Sequence, residues 1–173
     1  ERAEREEEDT EDAQLHTALL RAAEAAEAAG ELVQVREERL LYVARTAAGL
    51  PALVIIGRRL HARCATPEGQ RLAMLQLVLQ LQLCGAPFVV VFVATAMAAA
   101  SGATLDFVRD LYTVLPRPLR AGKATLYVVH PSLRVRLSLP LPVFFLGPAL
   151  WGRAAFFHPL PQLPSPLMPG PLR

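Results

Sequence analysis

The sequence predicts an α/β domain: a mostly parallel sheet with flanking helices, preceded by N-terminal helices. Three observations predict it. Apolar runs of strand length recur at 52–57, 88–94 and 124–130. The stretches between them, 67–85 and 105–115, have helix-forming composition, and strands alternating with helices make parallel βαβ units. The third observation is a charge split. Residues 1–45 hold 13 of the 16 acidic residues and 6 of the 18 basic ones, a net of −7, and residues 46–173 carry a net of +9. The formal charge of +2 over 173 residues therefore averages an acidic arm and a basic, apolar body.

Glu1–Asp12 is charge-dense and has no apolar residue larger than alanine, so residues 1–11 read as a disordered, solvated acidic leader. Residues 12–48 read as N-terminal helices. The first runs from Asp12 to Ala29, with Asp9 or Thr10 as its cap and Gly30 as its stop. A second spans Glu31–Ala47, with Leu32, Val35, Arg39, Tyr42 and Val43 on one face and Gly49 and Pro51 ending it. Ala52–Gly57 is short, apolar and β-branched, and reads as a buried strand. Arg58, Arg59 and Arg63 then fall in a loop.

In Pro67–Gly85, five leucines from Leu75 to Leu83 alternate with Gln76, Val78, Gln80 and Gln82, which is a strand period. Leucine and glutamine favour helices, however, and Pro67 suits a first helical turn, so the segment reads as a helix of about 16 residues. Pro87–Ala94 is apolar throughout, as in a strand covered on both faces. Thr104 caps a helix at Leu105–Leu115, stopped by Pro116 and Pro118. Ala124–His130 is the next strand. Ser132–Ser138 begins like a helix but is followed by Pro140, Pro142 and Pro148. Phe156-Phe157 suits one more short strand. Pro159–Pro171 has six prolines in 13 residues, making 159–173 an extended or disordered tail.

Leu72–Leu105 contains no charged residue over 34 positions, and a membrane-spanning helix needs about 20. Gly85 and Pro87 interrupt the stretch, its Val/Phe half has strand character and its Ala/Ser/Gly half is weakly hydrophobic. A buried sheet core is the reading.

Catalytic chemistry has little to stand on. No nucleophile elbow, Walker loop or dinucleotide fingerprint occurs. The body's acids are Glu68, Asp106 and Asp110, and the last two sit at helical spacing on one solvated face. His61 and Cys64 form a lone His-x-x-Cys pair where zinc takes four ligands. Cys84 reads as a core residue and Cys64 as a surface thiol. No enzyme activity, cofactor, catalytic residue or metal site is expected. The bases Arg58, Arg59, Arg63, Arg71, Arg117, Arg120, Lys123, Arg134, Arg136 and Arg153 suit anionic lipid head groups or a solvated surface that balances the acidic arm. Seventeen arginines against one lysine reflect compositional bias, and no nucleic-acid partner is expected.

Leu53-Val-Ile-Ile-Gly-Arg-Arg-Leu60 resembles the first strand and turn of the CRAL-TRIO lipid-binding domain. Phe107-Val-Arg-Asp-Leu-Tyr112 followed by Ala124-Thr-Leu-Tyr-Val-Val-His-Pro131 resembles its helix and core strand ending in His-Pro, and Trp151-Gly-Arg-Ala-Ala-Phe-Phe157 its next turn and strand. The resemblance covers about 40–157 and is closest to the divergent branch. That branch includes the BCH domains of Rho GTPase-activating proteins and the C-terminal domain of macro-domain-containing ganglioside-induced differentiation-associated proteins. It implies a CRAL-TRIO-like domain at 49–158 with its sheet built from Leu53–Gly57, Phe88–Ala94, Ala124–His130 and Ala154–Phe157.

The resemblance further implies an apolar cleft that holds a lipid or acyl chain, lined by Val90, Phe92, Tyr127 and Val129 with Leu137, Leu141, Phe144 and Phe145. The expected partner is a lipid or other small hydrophobic molecule, at a cytoplasmic location or peripherally on an anionic membrane surface. The alternative is a BCH-type interaction module that binds a small GTPase or self-associates. The segment matching the gate helix, Ser132–Leu150, departs from the family through Pro140 and Pro142. Two Pro-x-x-Pro spacings, at Pro161–Pro164 and Pro166–Pro169, lack a flanking base at a useful offset.

Overall fold

A computed structural model describes residues 2–85, 88–95, 124–130 and 154–157. It opens with helix α1, Arg2–Ala28. The stretch expected as a disordered leader is thus helical from Arg2 onward. Glutamate and arginine are strong helix formers, and opposite charges stand four apart in the sequence, as at Arg2/Glu6 and Arg5/Asp9. The Ala/Leu-rich half that follows supplies the docked segment onto which those turns extend. The expected stop holds. Gly30 has φ 77°, its N–H donates to the Glu27 carbonyl at 3.0 Å, and the Glu31 N–H donates to the Ala26 carbonyl at 2.9 Å. That pair of bonds is a Schellman closure, which favours glycine at the left-handed position.

The second helix expected over Glu31–Ala47 is corrected. Only α2, Val33–Glu37, is helical. Arg39 takes φ 48°, and strand β1, Leu41–Arg45, follows. It pairs antiparallel with β2, Pro51–Ile56. Gly49 and Pro51 therefore serve a hairpin turn. Gly49 has φ 81°, its N–H donates to the Thr46 carbonyl at 2.9 Å, and Thr46 Oγ1 accepts from the Leu50 N–H at 3.0 Å. Local composition around Tyr42 permits a helix, but β2 offers partners to the backbone groups of Leu41–Arg45 that face it.

Arg58, Arg59 and Arg63, expected in a loop, lie in the short helix α3, Gly57–Arg63. Helix α4 spans Pro67–Cys84, 18 residues. Thr66 caps it by accepting the Gly69 N–H at 3.0 Å, and Pro67 sits in the first turn as expected. The leucine–glutamine ambiguity resolves as helix. Leu83 is 72% exposed although it shares an alternating row with buried Leu75, Leu77 and Leu81, whereas Gln76 is buried.

Strands β3, Phe88–Val93, β4, Ala124–Val129, and β5, Ala154–Phe157, complete a five-stranded sheet in the order β1-β2-β3-β4-β5. β2 to β5 are mutually parallel, so the predicted mostly parallel sheet is observed, with β1 added antiparallel at its edge. Ile56, Val93 and Val129 are level across β2, β3 and β4. The expected helix at 105–115, the segment 132–150 and the tail 159–173 lie outside the described residues.

The sheet has two unlike faces. On the first, Leu53 and Ile55 cluster with Leu72, Ala73, Leu75, Leu77 and Leu81 of α4 and with Ala23 and Ala26 of α1, and Val90 and Phe92 pack against them. Alanines on α1 let its backbone approach α4 closely. On the second, Ala52, Val54, Val89, Val91 and Val129 form a separate cluster with Tyr42, Ile56, Val93 and Tyr127 around it. No residue of a described helix belongs to that cluster. Among the described residues, no helix is long and apolar enough to cross a membrane.

Gly69 tests the α3–α4 junction. Glycine to alanine normally strengthens a helix by about 0.5–1 kcal/mol, but here a Cβ would overlap the Arg63 backbone carbonyl. Gly69→Ala is expected to destabilise the chain by about 1–3 kcal/mol and Thr66→Ala by about 1 kcal/mol, both read by urea denaturation. A stabilising Gly69→Ala would show that the junction is loose.

Candidate functional site

Strand pairing decides which of the expected cleft residues share a face. Val91 stands opposite Tyr127 and Val93 opposite Val129, so Tyr127 and Val129 belong with Val89 and Val91 on the second face. Val90 and Phe92 point the other way and pack against the helix-covered cluster. The four strand residues expected to line one cleft are thus split between two faces. Alternation within a strand shows which residues share a side, but the phase between strands depends on register, which is set by contacts distant in sequence. Leu137, Leu141, Phe144 and Phe145 lie outside the described residues.

The second face leads to a pocket. Three of its members, Tyr42, Ile56 and Val93, also line a concavity of about 660 Å³ at the carboxyl ends of β2 and β3. In open α/β sheets this is the edge where ligands commonly enter. Because Ile56, Val93 and Val129 are level, the residues after them leave the sheet at that edge: Gly57-Arg58-Arg59, Ala94-Thr95 and His130. Arg58, Arg59 and Thr95 line the pocket, Arg36 and Arg39 reach it from α2 and the following turn, and Gln76 and Gln80 reach it from α4. Among the described residues no carboxylate lines it.

The arginines are not equivalent. Arg59 donates to the carbonyls of Glu38 and Arg39 at 2.7 and 3.2 Å, which fixes the α2–β1 turn against α3. Arg36 forms an ion pair with Glu27. Arg63, just outside the pocket, donates to Glu38 at 3.2 Å. Arg71, expected among the surface bases, bridges Glu31 and Glu68 at 2.5 and 2.9 Å, and its guanidinium holds the Glu68 carboxyl below its ordinary range. Two further groups at this end are unusual. Gln76 is 2% exposed, and its Oε1 has no hydrogen-bond partner. His130 takes φ 55° and has a buried Nε2 with no partner. Sequence reasoning marked Arg58 and Arg59 only as members of a surface set and did not join them to Arg36, Arg39 or Gln76. Gln76 already stood out as a polar residue in a leucine-rich helix.

Residues 49–163, about two-thirds of the chain, match the divergent CRAL/TRIO domain family. No curated protein matches the chain.

The thiols are structural. Cys84 is in the core as expected, and Cys64, expected at the surface, is also fully buried in the helix-face cluster, at the opposite end of α4. Among the described residues no group of three His, Cys, Asp or Glu side chains is placed to hold a metal ion. Burial pushes both thiols up from 9.0 to about 11. A raised folded value means that the unfolded chain loses these protons first. The thiols' contribution to stability is therefore expected to be constant below about pH 8.5, the free thiol range, and to be lost as pH rises towards 11. At pH 8, alkylation of the native chain by iodoacetamide should be slow and should become complete on unfolding. Rapid labelling of Cys64 in the folded chain would contradict its placement.

Proposed function

The chain belongs to the divergent CRAL/TRIO domain family, and from that premise we propose that it is a non-enzymatic domain binding a lipid or acyl chain along the second sheet face. CRAL/TRIO domains bind small lipophilic molecules. The observation that carries the reading is an apolar face extending over β1 to β4 whose cluster includes no residue of a described helix. Its floor is Val54, Val89, Val91, Tyr127 and Val129, and Leu137, Leu141, Phe144 and Phe145 are proposed to complete the lining. Val90 and Phe92 are left out because they serve the helix face. Each CH₂ of a bound chain buried here contributes about 0.8 kcal/mol, so affinity needs few polar contacts. The exposed bases fit a cytoplasmic protein that docks peripherally on anionic membranes.

A BCH-type interaction module, binding a small GTPase or self-associating, is the second reading. What favours it is that Val54, Val89, Val91 and Val129 are each at most 5% exposed, so these side chains offer little surface to a ligand and the outer surface is left for a partner.

Organic extraction and native mass spectrometry of the purified chain distinguish the two. The lipid reading expects a co-purified acyl lipid, a lower yield in Val91→Phe, which fills the face, and an unchanged yield per folded molecule in Val90→Ala. Protein that stays lipid-free after expression and after incubation with vesicles overturns it. A pull-down with a Rho-type GTPase is then the positive test of the second reading.

A further inference from the structure

Three of the four pocket guanidiniums have no carboxylate partner among the described residues. Arg36 pairs with Glu27, whereas Arg59 donates to the backbone carbonyls of Glu38 and Arg39. Arg39 and Arg58 are exposed, and among the described residues neither has an ion pair or a side-chain hydrogen bond. Arg39 also holds φ 48°, a backbone conformation that costs an ordinary side chain more than it costs glycine or asparagine. The Glu38 carboxylate is taken by Arg63. Positive charge gathered at a concavity in this way attracts a negatively charged partner.

The chain carries the matching charge at its far end. Residues 2–12 hold seven acids and two arginines, a net of −5, and they lie in α1. Glu4, Glu8 and Glu11 recur there at helical spacing. The α1 residues that join the helix-face core begin at Leu19, so residues 2–12 are an acidic extension of the helix beyond its packed part. This extension cannot turn back onto the pocket of its own chain. Helix α1 is continuous from Arg2 to Ala28, its Glu27 meets Arg36 at the pocket wall, and none of its residues lines the pocket. At about 1.5 Å per residue, Asp12 stands about 22 Å and Arg2 about 38 Å along the helix axis from Glu27. The acidic extension and the basic pocket therefore belong to opposite ends of one molecule.

We propose that the pocket takes the acidic N-terminal extension of α1 from a second copy of this chain. Carboxylates of one copy meet Arg39, Arg58 and Arg59 of the next, and a guanidinium fork donates two parallel hydrogen bonds to a carboxylate. The two surfaces differ and stand at opposite ends, so the contact is head-to-tail. Each added copy leaves one pocket and one extension free, which builds an open series or a ring, not a two-fold dimer. The inference rests on the self-associating form of the second reading, for which it names the two surfaces that meet. It requires nothing of the apolar face.

Sedimentation velocity of the full chain tests it. The wild-type mass should rise with concentration at about 50 mM sodium chloride and return to that of the monomer at about 500 mM, where charges are screened over a few ångström. R39Q/R58Q and E4K/E8K/E11K should each weaken association about tenfold or more and still melt cooperatively, since lysine keeps the helix. R71Q removes a cation outside the pocket and should leave association within about twofold. The decisive sample is a mixture. R39Q/R58Q keeps its acidic extension and E4K/E8K/E11K keeps its pocket, so together they should form a 1:1 pair that grows no further. A wild-type chain that is monomeric at low salt overturns the proposal, as does a mixture that stays monomeric while the wild type associates. Association that survives both variants overturns the contact between extension and pocket but leaves self-association standing. Capture of a Rho-type GTPase by a monomeric chain overturns it and leaves the second reading standing through the GTPase.

Discussion

Backbone pairing between β2, β3 and β4 is the constraint on which the other features rest, because a strand places successive side chains on opposite sides and its register assigns those sides for the whole sheet. With Ala52 opposite Val89 and Val89 opposite Thr125, Leu53, Ile55, Val90 and Phe92 fall under α4. Val54, Val91, Tyr127 and Val129 fall on the other face. The same pairing sets Ile56, Val93 and Val129 level, so that α3, Thr95 and His130 all begin at one edge. Two faces and one pocket thus come from a single alignment. A slip by one residue at either ladder would exchange the faces of one strand and bring the two packing clusters into conflict.

The charge split has a structural counterpart. Acids of the N-terminal arm meet bases of the body at Arg63–Glu38 and Arg71–Glu31, and Arg36 closes on Glu27 within the arm. Exposed pairs of this kind contribute about 0.2–1 kcal/mol each, so they orient the arm more than they hold it. Attachment rests on Ala23, Ala26, Leu32 and Val35, all buried against the helix-face cluster. The arm's acids therefore neutralise Arg63 and Arg71 outside the pocket and Arg36 at its wall, and Arg39 and Arg58 are left as pocket guanidiniums with no ion pair among the described residues.

Legibility followed locality. The strands at 52–57, 88–94, 124–130 and 154–157 were readable because each is a short apolar run, mostly with β-branched or aromatic residues. Helix α4 was readable because Pro67 and the helix propensity of its leucines and glutamines outweigh their strand-like alternation. β1 was not, since Leu41–Arg45 becomes a strand only by virtue of an edge supplied by Pro51–Ile56. The acidic leader misled for a related reason: charge density argues against burial, not against a helix. At the site, Tyr127 and Val129 share a face because they share a strand. Val90 and Phe92 fall on the other face, because phase between strands is not written in either strand alone. Nothing near Cys64 marks it as buried, and its burial comes from helices packed over the α3–α4 junction.

The hairpin formed by β1 has a consequence for what counts as the folding unit. The family match begins at residue 49, inside the turn, whereas the sheet begins at Leu41. A fragment cut at the match boundary keeps all four parallel strands but strips the antiparallel neighbour from β2. The backbone donors and acceptors that Pro51–Ile56 now shares with Leu41–Arg45 would line an uncharged, β-branched edge, the kind of surface that recruits further strands. The N-terminal residues outside the family match are thus the ones that cover the β2 edge of the matched core.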